Sequence, residues 1–210
     1  MIKSLTDYRY YLEADRIIAG RKKVPFFSPI VSLFSRSKID HFHYLLRRTE
    51  YIHNCSKGLV GSLRYKWFNY LFRRTSLKLG FSIPINVFGP GLFIPHYGTI
   101  VVNNNVKVGA NCVLHTCVCI AGSKEKIIGD NAYISTGVII SGGINLGNNI
   151  TISANSMVNK NCERDGVMLG GTPAKIIKNR EAWYIEDGAK YESRIKEIQI
   201  LKEKLYSVNC

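Results

Sequence analysis

Two of the five histidines, His96 and His115, are set apart from the other three by their surroundings. His41, His43 and His53 lie among Arg, Lys and aromatic residues, whereas His96 and His115 lie among short aliphatic, Gly and Asn residues. Histidine ordinarily titrates near about 6.5, so at neutral pH it can take a proton from a hydroxyl as that oxygen attacks an electrophile. No Asp or Glu occurs between Glu50 and Glu125. The partner that fixes the His96 tautomer must then be a backbone carbonyl, an Asn such as Asn103, or a carboxylate of a neighbouring subunit. Otherwise either histidine is a corner residue hydrogen-bonded to a carbonyl. Two imidazoles without a third ligand do not make a zinc site. The six cysteines contain no C-x-x-C pair, so no metal is expected.

The elements that must position these histidines are written in a repeat. An aliphatic residue recurs every sixth place at Val102, Val108, Leu114 and Ile120. After a step of eight it resumes at Ile128, Ile134, Ile140, Leu146, Ile152 and Val158. A second column of small or β-branched residues runs four places on, through Val106, Cys112, Val118, Ala132, Val138, Ile144, Ile150, Ser156 and Cys162. A period of six fits neither an α-helix nor a plain amphipathic strand. It fits a parallel β-helix, a triangular coil of three short strands whose corners need residues tolerant of left-handed backbone. Gly109, Asn111, Gly147 and Asn149, with Asn103, Asn104, Asn105 and Asn148, meet that need. At about 18 residues per coil, His96 is predicted beneath Leu114 and beside the corner carrying His115. Adjacent strands lie about 4.8 Å apart, so both rings can line one cleft. His96 is also in phase with the interior column, and Pro95 and Gly98 imply an irregular rung there. The step from Ile120 to Ile128 predicts a short loop bulging from a corner, the kind of interruption that carries function.

The run Phe88-Gly89-Pro90-Gly91-Leu92-Phe93-Ile94-Pro95-His96, followed by Gly98-Thr99-Ile100-Val101-Val102, resembles the start of the coil in serine O-acetyltransferases. Gly170-Gly171-Thr172-Pro173-Ala174-Lys175-Ile176-Ile177 resembles the segment that closes the coil in hexapeptide-repeat acyltransferases. The resemblance covers roughly residues 60–180. It implies a left-handed parallel β-helix, acetyl-CoA as donor, a homotrimer, and active sites in clefts between neighbouring coils. The family's catalytic histidine falls on His96, with His115 the rival. The small residues that let CoA approach the backbone fall on Ala121, Gly122, Thr136 and Ala154. Lys175 and Lys178 are candidates to meet the CoA phosphates as point charges. Phe81 and Pro95 stand where the family has acidic residues, and the loop Ser123-Lys124-Glu125-Lys126 has no counterpart of its Arg-His pair. The tail Ser207-Val208-Asn209-Cys210 lacks a terminal isoleucine. These departures point to relatives that acetylate sugars in capsule or surface polysaccharide synthesis.

Charge and pattern divide the chain into a basic α-helical region at 1–80, the β-helix at 81–178 and a C-terminal helical extension at 179–210. Residues 1–80 hold 16 Lys or Arg against 5 Asp or Glu. Residues 63–79 interleave Trp67, Phe68, Tyr70, Leu71 and Phe72 with Arg64, Lys66, Arg73, Arg74 and Lys78. Such a helix packs on the coil and on neighbouring subunits, or rests on anionic lipid. No nucleic-acid motif is present, and nucleic acid is not expected as a partner. Residues 180–206 read as one amphipathic helix. The N-terminus has acidic residues and no apolar core of a signal peptide, so a cytoplasmic protein with free thiols is expected, cytoplasmic or at the inner face of the membrane. The leading reading is an acetyl-CoA-dependent O-acetyltransferase acting on a sugar or saccharide hydroxyl. The alternatives are a serine O-acetyltransferase and a non-catalytic trimeric scaffold.

Overall fold

The six-residue period becomes three faces of parallel strands in the computed structural model, which describes residues 1–21 and 37–207. The first face stacks β1 (Phe81–Ser82), β2 (Ile100–Val102), β5 (Val118–Ile120), β8 (Ile139–Ile140) and β11 (Met157–Val158). The second stacks β3 (Val106–Val108), β6 (Lys126–Ile128) and β9 (Ile144–Leu146). The third stacks β4 (Val113–Leu114), β7 (Tyr133–Ile134), β10 (Thr151–Ile152) and β12 (Val167–Gly171), with β13 (Ala174–Asn179) antiparallel at its end. Strands this short have no independent stability, so stacking holds them. The aliphatic column is continuous through the coil: Leu114 pairs with Ile134 and Ile134 with Ile152, all buried. Each such side chain contributes about 1.5–3 kcal/mol on burial. The second column is buried from Val106 to Ser156 and only half-buried at Cys162.

The corners explain the Asn and Gly. Asn111, Asn131 and Asn149 all adopt positive φ at one corner. Their side chains form a ladder, Asn111 Nδ2 donating to Asn131 Oδ1 at 3.0 Å and Asn131 Nδ2 to Asn149 Oδ1 at 2.8 Å. Gly129 is required by close approach, since a Cβ there would lie 2.5 Å from the Gly147 carbonyl oxygen of the next coil.

Two departures from regular winding matter. Phe93 pairs with Val113, a step of 20, whereas Ile100 pairs with Val118, a step of 18. Two extra residues therefore crowd into the corner at 95–99. Ile94, not His96, neighbours Leu114 on that rung, and the His96 side chain is exposed instead of filling the interior. The expected position beneath Leu114 is corrected by those two residues. The second departure is the loop at 121–125, two residues longer than the corner at 103–105. It leaves Lys126 in register with Val106 and Ile144, at an interior position and fully enclosed. Its ammonium bends to donate to the carbonyls of Lys124 (2.9 Å) and Gly122 (3.2 Å) in the loop itself.

The N-terminal helices are α1 (Leu5–Ile18), α2 (Lys38–Cys55) and α3 (Gly58–Leu79). Ser4 caps α1 by accepting from the Asp7 N–H, and Ser37 caps α2 by accepting from the Asp40 N–H. Gly80, at φ +79, ends α3 and turns the chain into β1. Residues 22–36 and 208–210, part of the expected helical region and of the tail, lie outside the described residues. His43 and Arg47 do not face solvent on α2. Both are buried, because Asp15 of α1 meets them beneath the first coil. The C-terminal segment is broken at Gly188 (φ +102) into α4 (Trp183–Glu186) and α5 (Ala189–Ser207), not one helix. Trp183 inserts between α5 and the coil and donates its indole N–H to the Asn111 carbonyl at 3.0 Å.

Candidate active site

The corner that leads from the third face to the first carries both histidines. His96 lies on its widened first turn, 95–99, and His115 one coil along, at the start of the turn after β4. Their ring centroids are 6.5 Å apart with planes inclined at 42°. Gly98, on the same turn as His96, approaches Thr116 so closely that a Cβ would lie 3.1 Å from its methyl carbon. His96 is exposed and His115 half-buried. His115 Nε2 lies 2.9 Å from the hydroxyl of Tyr133 on β7, and the Tyr133 ring packs against Trp183. If the phenol donates, the ring proton is on Nδ1; if Nε2–H donates, the phenol oxygen accepts.

Burial lowers the His115 pKa, neighbouring His96 lowers it further, and Asp187 pulls in the opposite direction. Burial raises the Tyr133 pKa, and Asp187 adds to the rise. At neutral pH the pair is therefore a neutral imidazole bonded to a protonated phenol. Asp187, which follows α4 and pairs with Arg180 at 3.7 Å, brings a carboxylate of the C-terminal segment to bear electrostatically on this corner. Asn103, one of the three kinds of partner considered for His96, accepts from the Asn105 N–H at 2.9 Å and organises its own corner.

Thr136 and Ala154 stack on the same edge as the histidines, one and two coils beyond His115, and both are exposed. The Thr136 carbonyl accepts from the Asn155 N–H at 2.9 Å, which keeps successive corners in step. Ala121 and Gly122 lie on the other side of the first face, at the end of β5, so they are not gathered with the histidines at one point. Between the two edges the first face presents exposed Val101 and Ile139. A strand of three residues spans about 10 Å, a width that an extended ligand can cross but a small one cannot. Lys175 and Lys178 are exposed on β13, opposite Gly170 and Met168. Among the described residues no group of three His, Cys, Asp or Glu side chains is placed to hold a metal ion.

The sequence reading missed Tyr133, Asp187 and Lys126. Tyr133 was discoverable only with the loop taken into account: 121–125 lengthens that coil to 20 residues, so Tyr133 stacks on Val113, two places before His115. Asp187 was not, since nothing local ties a C-terminal turn to that corner. Lys126 was hidden by the break in the six-residue rhythm.

No family model matches the chain. It is similar to the serine acetyltransferase of Staphylococcus xylosus, 29% identical over 139 residues covering 60% of this chain and 64% of that protein. Serine acetyltransferases of Staphylococcus aureus are 31% identical over 96 residues, 43% of this chain and 45% of theirs. The chain thus spans less than two thirds of the length of these relatives. Among solved structures, serine O-acetyltransferase from Brucella melitensis aligns with a TM-score of 0.63 at 25% identity, covering 83% of this chain and 68% of that one. The Brucella abortus serine acetyltransferase in complex with coenzyme A aligns with a TM-score of 0.64 at 24% identity, covering 85% and 70%. The chain is a hexapeptide-repeat parallel β-helix that resembles serine O-acetyltransferases in both sequence and fold.

Proposed function

We propose that the chain is an acetyl-CoA-dependent O-acetyltransferase that works as a homotrimer, with His96 as general base. The observation that carries this reading is the single edge where His96 and His115 face each other, on a coil that aligns with a coenzyme A complex. In the reaction the acceptor hydroxyl oxygen attacks the thioester carbonyl while His96 takes its proton. Collapse of the tetrahedral species breaks the C–S bond, and the thiolate leaves as CoA-SH after accepting that proton. His115, held by Tyr133, lines the same cleft and positions the acceptor. The apolar face between the two edges, with Ala121 and Gly122 on one side and Thr136 and Ala154 on the other, gives the pantetheine arm a path along backbone amides. Lys175 and Lys178 supply positive charge for its phosphates.

The relatives favour a small hydroxyl amino acid, L-serine, as acceptor over the saccharide hydroxyl anticipated from the sequence. The saccharide reading retains one observation in its favour. The loop at 121–125 is short, and Lys126, whose ammonium is tied to that loop's carbonyls, offers no side chain to grip an amino-acid carboxylate. A cytoplasmic location suits either acceptor.

Labelled acetyl-CoA incubated with L-serine, nucleotide sugars and oligosaccharides separates these readings. We expect O-acetylserine to form. Transfer to a saccharide and not to serine would establish the second reading. Absence of transfer together with absence of acetyl-CoA binding by calorimetry would leave a scaffold protein and end the proposal.

A further inference from the structure

The helix α3 is apolar on both sides, and among the described residues only one side is packed. Gly61, Phe72, Ser76 and Leu79 are buried toward α2 and the first coil. On the opposite side Leu59, Leu63, Trp67, Tyr70 and Leu77 are 54–85% exposed. At 100° per residue these five fall in one stripe, and from Leu59 to Leu77 it runs about 27 Å along the helix axis. Arg64 and Lys78 border one edge of the stripe, Lys66 and Arg73 border the other, and Arg74 lies within it. All five cations are exposed. The 22 residues of α3 contain no Asp or Glu.

We infer that this outer face of α3 is a docking surface for an anionic lipid bilayer, with the helix lying in the plane of the interface. Apolar and aromatic side chains fill the middle of the stripe, where they enter the acyl boundary. The cations flank it, where their long stems reach lipid phosphates. Trp and Tyr favour that interfacial depth. Pairing with α3 of a second copy would bring ten cations together with no carboxylate on either helix, which opposes self-association through this face. A nucleic acid would call for charge along the centre of the stripe, where apolar groups predominate. No described helix is long and apolar enough to cross a membrane, so the contact is peripheral.

The test uses the full chain and does not depend on its catalytic activity. Vesicles of phosphatidylcholine alone and vesicles with about a quarter phosphatidylglycerol are compared by co-sedimentation. The chain has two tryptophans, and Trp183 is 1% exposed, so an emission shift on adding vesicles reports Trp67. We expect pelleting with the anionic vesicles only, and a blue shift. We expect a partition coefficient lowered about tenfold or more in Arg73→Glu/Arg74→Glu, and a similar loss in Trp67→Ser. The exposure of these side chains keeps the fold of the variants intact, which circular dichroism checks. Absent binding, equal binding to both vesicle types, or binding unchanged in the variants would overturn the inference. Self-association that sedimentation shows to be abolished by Trp67→Ser would overturn it as well, in favour of a second copy.

Discussion

Leu114, Ile134 and Ile152 stack in the apolar interior of the coil, while Arg47, just as fully buried beneath the first coil, makes five hydrogen bonds. Two of its bonds reach the Asp15 carboxylate, one reaches Glu50, and two reach the carbonyls of Phe88 and Gly89. Asp15 in turn accepts from the N–H groups of Gly91 and Leu92, and Glu50 accepts from the Asn86 N–H. The coil continues itself by repetition, each rung satisfying the backbone of the rung beneath. Its first rung has no rung below, so charged side chains from α1 and α2 satisfy the backbone there. A repeat needs only apolar columns; its end needs a cap with the right polar partners.

The cap and the coil differ most at Arg47. Arg47→Ala strands two buried carboxylates and two carbonyls, and we expect a loss of about 3–5 kcal/mol, read as a lower urea midpoint. In the coil, Ile134→Ala leaves a cavity between two intact rungs and costs about 2–4 kcal/mol by the same measurement. The cap, unlike the apolar columns, also responds to acid. Burial holds the His43 pKa below its ordinary value of 6.5 despite Asp15. Burial would raise the Asp15 pKa, but Arg47 and His43 outweigh it and hold it below 3.8. Both folded values are depressed, so each group stabilises the fold above its unfolded pKa and loses that contribution as pH falls through the folded value. Glu50, raised by burial, has the opposite slope and offsets part of this. The urea midpoint is therefore expected to fall between about pH 7 and about pH 5, and to fall less in His43→Asn. The smallest effect is expected at Lys126→Met. It removes a buried ammonium while keeping its apolar stem, so stability changes by under about 1 kcal/mol in either direction. Faster amide exchange confined to 121–125 would reveal the lost hold on the loop.

The same contrast explains how much could be read in advance. The interior columns from Val102 to Val158, the Asn and Gly corners, the loop after Ile120 and the pairing of His96 with His115 on one edge follow from a short period written directly in the chain. The position of His96 relative to Leu114 did not, because two extra residues at 95–99 change the step without disturbing either column. The cap at Arg47 did not follow either, since Asp15, Arg47 and Gly91 are far apart in sequence and no period links them. The electrostatic influence of Asp187 on His115 and Tyr133 was hidden for the same non-local reason, since it comes from the turn before Gly188.

Acyl transfer is proposed here at the edge carrying His96. It is tested most directly by measuring turnover of labelled acetyl-CoA by His96→Ala beside calorimetric CoA binding to the same variant. We expect kcat to fall about a hundredfold or more with CoA affinity unchanged. Full turnover in that variant would contradict it.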